Sequence, residues 1–382
     1  MQWPLGQSLA FKQYAERRPA DGRLLLIALH ALALIPLALI YKRWAAEVSC
    51  GLIGVLFLVH SLRSGNWQWL RSPPVMIGLA ISVYLIFIVT PMALDPLASL
   101  SRSAAWWRFI IFFAAVVYWL SDYQEEMQRI CVWMLFIVCL VTVDTYIQYV
   151  TGMSLTGRLK PSHRLTGPMT KLVVGIYLAK VSFPILGMLL YEAWVTNRRR
   201  SIWLYFILVT AMMAAIALSN ERTALITYIA GLAVTGGLMF WFLKPARKLV
   251  LLFSVLQVGI LYAIYLTQGQ FQSRISDSMH QVGGFGSSPY AQLWKASWEI
   301  WKTHPLTGVG LMNFREACPD LMARGAVAYC DLHSHNLYME WLSETGIIGF
   351  AGVVMLLFSL IYIIARHIRF AAAQHYILLP FG

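Results

Sequence analysis

Long apolar runs separated by short polar loops dominate the chain. The runs are about 18 to 23 residues long, which is the length that crosses roughly 30 Å of hydrocarbon as an α-helix. Backbone N–H and C=O groups must be satisfied inside a bilayer, so each run is predicted to be a helix. Such runs occupy residues 24–41, 45–62, 74–94, 104–120, 128–150, 172–195, 201–218, 223–243, 249–267 and 346–365.

A further apolar segment begins near Phe370. Ala371–Phe381 is too short to cross a bilayer, so we expect the natural chain to continue past Gly382. The pattern predicts an all-α polytopic membrane protein with about 11–12 transmembrane helices. Its predicted divisions are a bundle of nine spans at 1–267, a large loop at 268–345 and C-terminal spans at 346–382.

Composition excludes a soluble fold. Of the 382 residues, 59% are hydrophobic and 12% are charged, whereas roughly a quarter of an ordinary soluble domain is charged. The formal net charge of +13 does not indicate nucleic acid, because the basic residues lie in short loops without a basic, aromatic-rich stripe. Every second loop is basic, which predicts that these loops are cytoplasmic. They hold Arg17, Arg18, Arg23, Arg63, Arg71, Arg198, Arg199, Arg200, Lys244, Arg247, Lys248, Arg366 and Arg369.

Two outer segments are also basic, against the usual topology signal. Long outer segments translocate whatever their charge, and that explanation stays open for residues 268–345. For the shorter segment 151–171 we favour an anionic ligand. The basic side chains concerned are Arg158, Lys160, His163, Arg164 and Lys171 in the shorter segment, and Arg274, Lys295, Lys302, Arg315 and Arg324 in the longer one.

The longer outer segment carries signs of a folded loop. Ser288 followed by Pro289 predicts a helix start, and Trp294, Trp298 and Trp301 follow at helical spacing. We interpret this helix as amphipathic, lying on the membrane surface or packed on the bundle, with tryptophans that anchor rather than stack on sugars. Two of the five cysteines, Cys318 and Cys330, lie in this loop, and an oxidising compartment would join them.

The most informative string is His333-Ser334-His335-Asn336, followed by Gly346-Ile347-Ile348-Gly349 at the start of a span. A His-Asn pair, nine residues and then Gly-x-x-Gly resembles the signature of bacterial O-antigen ligases of the WaaL type and their polymerase relatives. Two other stretches are similar to loops of that superfamily, namely His304–Phe314 and Ser219–Thr223.

The resemblance implies a fold similar to the GT-C glycosyltransferases and a multi-pass protein of the bacterial inner membrane with a periplasmic active site. It implies transfer of an O-antigen glycan from undecaprenyl diphosphate to a sugar hydroxyl of lipid A–core. The expected partners are these two lipid-linked molecules and membrane lipids, with no cofactor.

His335 is the candidate catalytic base, since glycosyl transfer to a hydroxyl needs a proton acceptor and imidazole titrates near neutral pH. If Ser334 caps the following helix, His335 lies in its first turn, where the helix dipole favours the neutral ring. A structural histidine at a loop–helix junction is the alternative. His333 and Asn336 are secondary candidates.

Cations are needed at the diphosphate leaving group, and the planar guanidinium of arginine matches phosphate oxygens. Arg222 is the first candidate, although Glu221 or a helix-end carbonyl is an alternative partner. Arg164 resembles the family's second outer arginine, followed by Arg158 and Arg274. Relatives commonly carry an arginine where this chain has Tyr290, so Arg274 or Arg315 is expected to supply that charge, unless the site uses fewer arginines. The outer carboxylates show no metal-ligand spacing, which predicts a metal-independent reaction.

Other functions remain open at this level. An O-antigen polymerase or a protein O-oligosaccharyltransferase would use the same donor and a different acceptor. A transporter or flippase for a lipid-linked anion belongs to another class and would place charged groups near the bilayer midplane. Asp144 and Lys180 are the candidates for such groups, and we interpret them as a structural pair or as interfacial residues.

Overall fold

The computed structural model describes residues 19–161, 164–195, 199–242, 247–283 and 288–373. Apolar runs of spanning length form most of the helices, because a helix satisfies its own backbone hydrogen bonds. The α-helices are α1 (Pro19–Tyr41), α2 (Arg43–Ser64), α3 (Pro73–Tyr84), α4 (Pro96–Tyr118), α5 (Gln124–Thr151), α6 (Val174–Val195), α7 (Arg199–Leu218), α8 (Arg222–Phe242), α9 (Arg247–Thr267), α10 (Gly269–Gly283), α11 (Pro289–Thr303), α12 (Phe314–Ala323) and α13 (Leu337–Ala373).

The predicted fold class, an all-α polytopic membrane protein, is confirmed. Within the described ranges nine helices are long and apolar enough to cross a membrane, and Val174–Leu190 is a shorter apolar helix. These ten coincide with the ten predicted runs, while residues 374–382 lie outside the described part. Helix α4 begins at Pro96 rather than near residue 104, because Asp95 caps it by accepting hydrogen bonds from the N–H groups of Leu97 and Ala98.

The chain forms two units. Unit 1 comprises Met1–Leu56, Leu120–Asp277 and Arg366–Gly382, and unit 2 comprises Phe57–Trp119 and Ser278–Ala365. Each unit is therefore built from distant parts of the chain. The predicted divisions were instead three consecutive stretches of the sequence.

Unit 1 has its core between α5, α6, α7 and α8. Leu178 on α6 and Tyr228 on α8 are fully buried there. Buried tyrosines need a partner for their hydroxyl groups. Tyr177 donates to the carbonyl of Pro36 at 3.1 Å, and Tyr146 donates to the carbonyl of Ala211 at 2.7 Å. These bonds tie α1 to α6 and α5 to α7.

Unit 2 has one core at its spanning helices and another inside the loop that precedes α13. Ile81 and Leu85 pack in the first core with Trp341 of α13 and Leu311 of the loop. The second core is built by Leu293, Ala296, Ile300, Val309, Phe314, Cys318 and Val327.

Helix α11 confirms the predicted helix start. Ser288 accepts a hydrogen bond from the N–H of Ala291 at 3.1 Å, and Pro289 occupies the first helical position. The helix is amphipathic as expected, and its apolar face is buried in the core of the loop rather than left unpartnered. Trp298, on another face, remains 46% exposed.

Candidate functional site

Helix α13 begins at Leu337, directly after His335-Asn336. The side-chain Oδ1 of Asn336 accepts hydrogen bonds from the N–H groups of Tyr338 and Met339, at 3.0 and 3.2 Å. Asn336 is therefore the cap, and our expectation that Ser334 caps the helix with His335 in its first turn was wrong. Ser334 is buried, and its hydroxyl donates to the carbonyl of Asn336 instead. Since His335 lies before the helix, the argument from the helix dipole does not apply to it.

His335 has an unusual backbone and a side chain that reaches solvent. Its φ of 53° lies in the left-handed region, which few residues other than glycine adopt and which costs of order 1–3 kcal/mol. The imidazole is 37% exposed, and its Nε2 lies 3.1 Å from Oδ2 of Asp331. Strain held at an exposed histidine beside a carboxylate is typical of functional sites.

Asp331 is held as a carboxylate. Its Oδ1 accepts a hydrogen bond from the N–H of Leu332 at 2.7 Å. This bond is the main cause that lowers the pKa of Asp331, and the bond with His335 lowers it further. A carboxyl group with a lowered pKa stabilises the fold above its ordinary pKa, and this contribution is lost as the pH falls through the lowered value. At neutral pH the imidazole therefore faces a negative charge.

Two further rings complete this group. The ring centroids of His333 and His335 are 4.1 Å apart, and the ring of Tyr290 meets that of His335 edge-on at 5.9 Å. We call Tyr290, Asp331, His333 and His335 the histidine cluster. Tyr290 thus lies against the ring of the candidate base. An exposed imidazole held by a carboxylate can take up a proton from a bound hydroxyl group.

The two motif glycines have a structural role in unit 2. Gly346 breaks the regular backbone of α13 with φ 65°, and a Cβ there would overlap the backbone of Leu306 and Thr307. A Cβ at Gly349 would overlap the side chain of Thr345. The motif spacing thus reflects backbones that pass too closely for any side chain at Gly346.

Residues 304–314 lie against α13 at this break. The N–H of Val309 donates to the carbonyl of Ser343 at 3.1 Å, and the N–H of Gly310 donates to that of Glu344 at 2.9 Å. The carboxylate of Glu344, 4% exposed, accepts from the N–H of Phe314 at the start of α12. Glu344 also interacts electrostatically with the guanidinium of Arg315.

Arg315 follows Phe314 on α12. Its Nε is buried and has no hydrogen-bond partner among the described residues. The charge of Arg315 acts on Glu344 of α13, so its guanidinium lies near that carboxyl group. Cys318, in the middle of α12, is joined to Cys330, the residue before Asp331, and their sulfur atoms are 2.04 Å apart. This pairing matches the one expected from the sequence.

In unit 1, residues 152–173 form what we call the arginine segment, of which residues 162–163 are not described. Polar side chains of α5 hold its backbone. Gln148 is fully buried, donates from Nε2 to the carbonyl of Arg158 and the hydroxyl of Thr166, and accepts at Oε1 from the N–H groups of Thr166 and Gly167. The carboxylate of Asp144 accepts from the N–H of Leu155. Four bonds from one buried amide fix the segment.

Two of the predicted arginines belong to this segment. The Nε of Arg158 donates to the carbonyl of Pro168 at 3.0 Å, and an Nη of Arg164 donates to the carbonyl of Leu172 at 3.1 Å. The Nε of Arg164 is buried without a hydrogen-bond partner in the described ranges. Both guanidinium groups are anchored through part of their donors, which leaves further N–H groups for an anion.

Glu221 lies next to Arg222, the first residue of α8, and links it to the arginine segment. Its carboxylate accepts hydrogen bonds from the N–H groups of Gly175 and Ile176 at the start of α6, at 2.9 and 3.2 Å. Burial raises the pKa of Glu221, whereas these two bonds and the charge of Arg164 lower it in part. Arg164 and the base of α8 therefore lie close together around one buried carboxylate. Arg222 itself is partly buried.

Other predicted residues are placed less informatively. Arg274 lies on α10, but its side chain is outside the described part, as is all of His163. Asp144 binds the backbone of Leu155, while Lys180 is exposed, so the structure does not pair them. In the described ranges no three His, Cys, Asp or Glu side chains form a metal-binding group.

Three carboxylates of these sites were missed as functional residues in the sequence. Asp331 is one of the outer carboxylates that show no metal-ligand spacing, and it stands four residues before His335. Glu221 was noted as an alternative partner of Arg222, and Glu344 was not singled out. A glutamate at the end of an apolar run is a usable signal, because a buried charge needs a partner.

These features define an all-α polytopic membrane protein with a folded, disulfide-linked loop outside its spans. Residues 206–354 match the family model described as O-antigen ligase. This match supports membership of the O-antigen ligase family, which implies an enzyme of the glycosyl-transfer type in O-antigen assembly. The match covers Arg222 and the histidine cluster, whereas the arginine segment precedes it. No curated protein matches the chain.

Proposed function

We propose that this protein transfers an O-antigen glycan from undecaprenyl diphosphate to a sugar hydroxyl of lipid A–core at the periplasmic face of the bacterial inner membrane. The observation that carries the proposal is His335, an exposed imidazole held by Asp331 in a strained backbone within the family match. In this reaction His335 takes the proton of the acceptor hydroxyl. The acceptor oxygen forms the new glycosidic bond, and the diphosphate departs with the electron pair of the bond that breaks.

The negative charge of the departing diphosphate needs cations. Arg222, Arg164 and Arg158 are the proposed diphosphate ligands, with Arg274 as a further candidate. The support is that Arg158 and Arg164 keep donors beyond those bound to Pro168 and Leu172, and that Arg164 lies near the carboxylate next to Arg222. Arginines in this role substitute for the divalent ion that many diphosphate-using transferases employ. Arg315 and Tyr290 are secondary candidates beside α13 and His335.

The alternatives within this chemistry differ only in the acceptor. An O-antigen polymerase would extend a second lipid-linked glycan, and a protein O-oligosaccharyltransferase would modify a hydroxyl-bearing side chain. The transporter alternative is less well supported, because Asp144 is engaged by the backbone of Leu155.

Reconstitution tests the proposal. Purified protein in liposomes is supplied with undecaprenyl-diphosphate glycan and, in separate reactions, with lipid A–core, with more donor, or with an acceptor protein. We expect product with lipid A–core and without ATP. Product only with one of the other acceptors would replace the ligase by that alternative, and glycan movement across the bilayer without any covalent product would replace it by a transporter.

A further inference from the structure

The contact with Asp331 determines which ring nitrogen of His335 is available for proton transfer. Nε2 of His335 lies 3.1 Å from Oδ2 of Asp331. A carboxylate only accepts hydrogen bonds, so Nε2 carries the hydrogen and donates it. In the neutral ring the unprotonated lone pair is then on Nδ1. The described residues offer no hydrogen bond to Nδ1, and the side chain is 37% exposed.

We propose that Asp331 is a positioning residue for this reaction, which holds His335 in the Nε2–H tautomer so that Nδ1 takes the proton of the acceptor hydroxyl. The inference rests on the proposed function of His335 as the base. Asp331 acts through the imidazole and does not itself touch substrate. It also faces the imidazolium that forms when Nδ1 is protonated, and its negative charge stabilises that cation.

The carboxylate of Asp331 is itself fixed in place. Oδ1 accepts from the N–H of Leu332 at 2.7 Å, and Oδ2 accepts from the hydroxyl of Tyr329 at 3.4 Å in addition to His335. With donors on both oxygens the group cannot rotate without losing a hydrogen bond. The orientation of the imidazole is therefore determined by a partner that is oriented in turn, as in catalytic triads.

The short segment that holds the pair is anchored at both ends. The residue before Asp331 is Cys330, which is joined to Cys318 of α12. The residue after His335 is Asn336, which caps α13 through its side chain. The left-handed backbone of His335 lies between these anchors. The chain thus maintains a strained conformation that brings residue 335 back to residue 331, which is the arrangement a positioning contact requires.

The proton balance of the step is complete. The O–H bond of the acceptor breaks and an Nδ1–H bond forms, while the acceptor oxygen bonds to the anomeric carbon and the diphosphate leaves. The titratable groups beside the ring are Asp331, His333 and Tyr290. Of these, only Asp331 makes a hydrogen bond to it.

The test compares Asp331→Asn, Asp331→Glu, His335→Ala and the double variant Asp331→Asn/His335→Ala in the full chain. An asparagine amide can donate to Nε2 and so favours the tautomer with its hydrogen on Nδ1. We expect kcat to fall about 10–100-fold, less than the loss in a buried triad, because this pair is one-third exposed. Donor KM should stay unchanged, and Asp331→Glu should recover part of kcat. The double variant should be no slower than His335→Ala alone, since Asp331 acts only through that ring.

Asp320→Asn is the matched control, because Asp320 is an exposed carboxylate of the same loop, and it should retain wild-type turnover. If His335→Ala is inactive but Asp331→Asn turns over at the wild-type rate, the positioning role is wrong while the base role stands. If the losses of the two single variants multiply in the double variant, or if Asp331→Glu recovers nothing, Asp331 acts independently of the ring. A fully active His335→Ala protein would instead remove the proposed function on which the inference rests.

Discussion

Different kinds of contact hold the arginine segment of unit 1 and the loop that carries the histidine cluster in unit 2. In unit 1, buried polar side chains bind backbone groups: Gln148 of α5 binds the arginine segment, and Glu221 binds the start of α6 directly after it. In unit 2, backbone binds backbone at the break in α13, and Cys318–Cys330 closes the loop.

The difference suggests a division of labour. In unit 1, a few buried side chains hold the backbone of the arginine segment in place. Its arginine side chains then keep some N–H donors without a backbone partner, as binding of an extended anion such as diphosphate requires. A loop packed on glycine backbones and closed by a disulfide can keep one histidine in a strained conformation, as suits proton transfer. If this division holds, variants in the two regions should fail in different assays.

The largest effect is expected at His335. General-base assistance contributes about 10²–10⁴ in rate, so His335→Ala should lose turnover by this factor while thermal stability and donor binding stay near wild type. His304→Ala is the control, because His304 is an exposed histidine of the same loop whose imidazole bonds to the neighbouring Thr303. A parallel loss of stability and donor binding in His335→Ala would show that the histidine is structural and would break the comparison.

The next effect is expected at Arg164 of the arginine segment and at Arg222 of α8. Arg164→Ala and Arg222→Ala should each weaken donor binding by about 2–5 kcal/mol, because in the proposed site each guanidinium donates a charge-assisted hydrogen bond to phosphate. Binding of undecaprenyl-diphosphate glycan to purified protein measures this directly. Lys171→Ala removes an exposed charge of the same segment and should bind donor almost normally. Wild-type binding and turnover by both arginine variants would show that the diphosphate binds elsewhere.

Removal of the disulfide is expected to have a smaller effect, which is confined to unit 2. The pair is separated by 12 residues, and closing a loop of this size stabilises by roughly 3 kcal/mol in the chain-entropy model. Cys318→Ser/Cys330→Ser should lower thermal stability and turnover and leave donor binding intact, whereas Cys139→Ser, a free cysteine of unit 1, should change little. Non-reducing peptide mass spectrometry decides the pairing, and two alkylatable thiols in protein purified from membranes without reductant would contradict it.

The smallest expected effect is that of metal removal. Because arginines balance the diphosphate charge in the proposed reaction, EDTA should leave turnover unchanged. The measurement is product formation before and after chelation, with magnesium or manganese added back. A reaction that stops with EDTA and resumes with either ion would show that a metal ion balances the charge of the leaving diphosphate. The arginines of unit 1 would then not have the separate role proposed for them.

The sequence predicted the spanning helices closely and the capping at the histidine motif incorrectly. Apolar length is a property of each run alone, so ten runs were found, whereas the earlier start of α4 depends on the cap at Asp95. At the motif, Ser334 and Asn336 are both good caps. The structure selects Asn336, because Ser334 is buried and bonded to the carbonyl of Asn336.

By itself, the sequence determined the all-α membrane fold, the start of α11 and the motif that points to the O-antigen ligase family, because each depends on residues close together in the chain. Only the tertiary structure decided that Asp331 turns back to His335, that Glu221 binds the start of α6 and that Gly346 makes room for Leu306. The last two contacts join residues about 40 or more positions apart, and the first needs a left-handed turn at a non-glycine residue. Such arrangements follow from packing, since local preference alone would disfavour or not specify them.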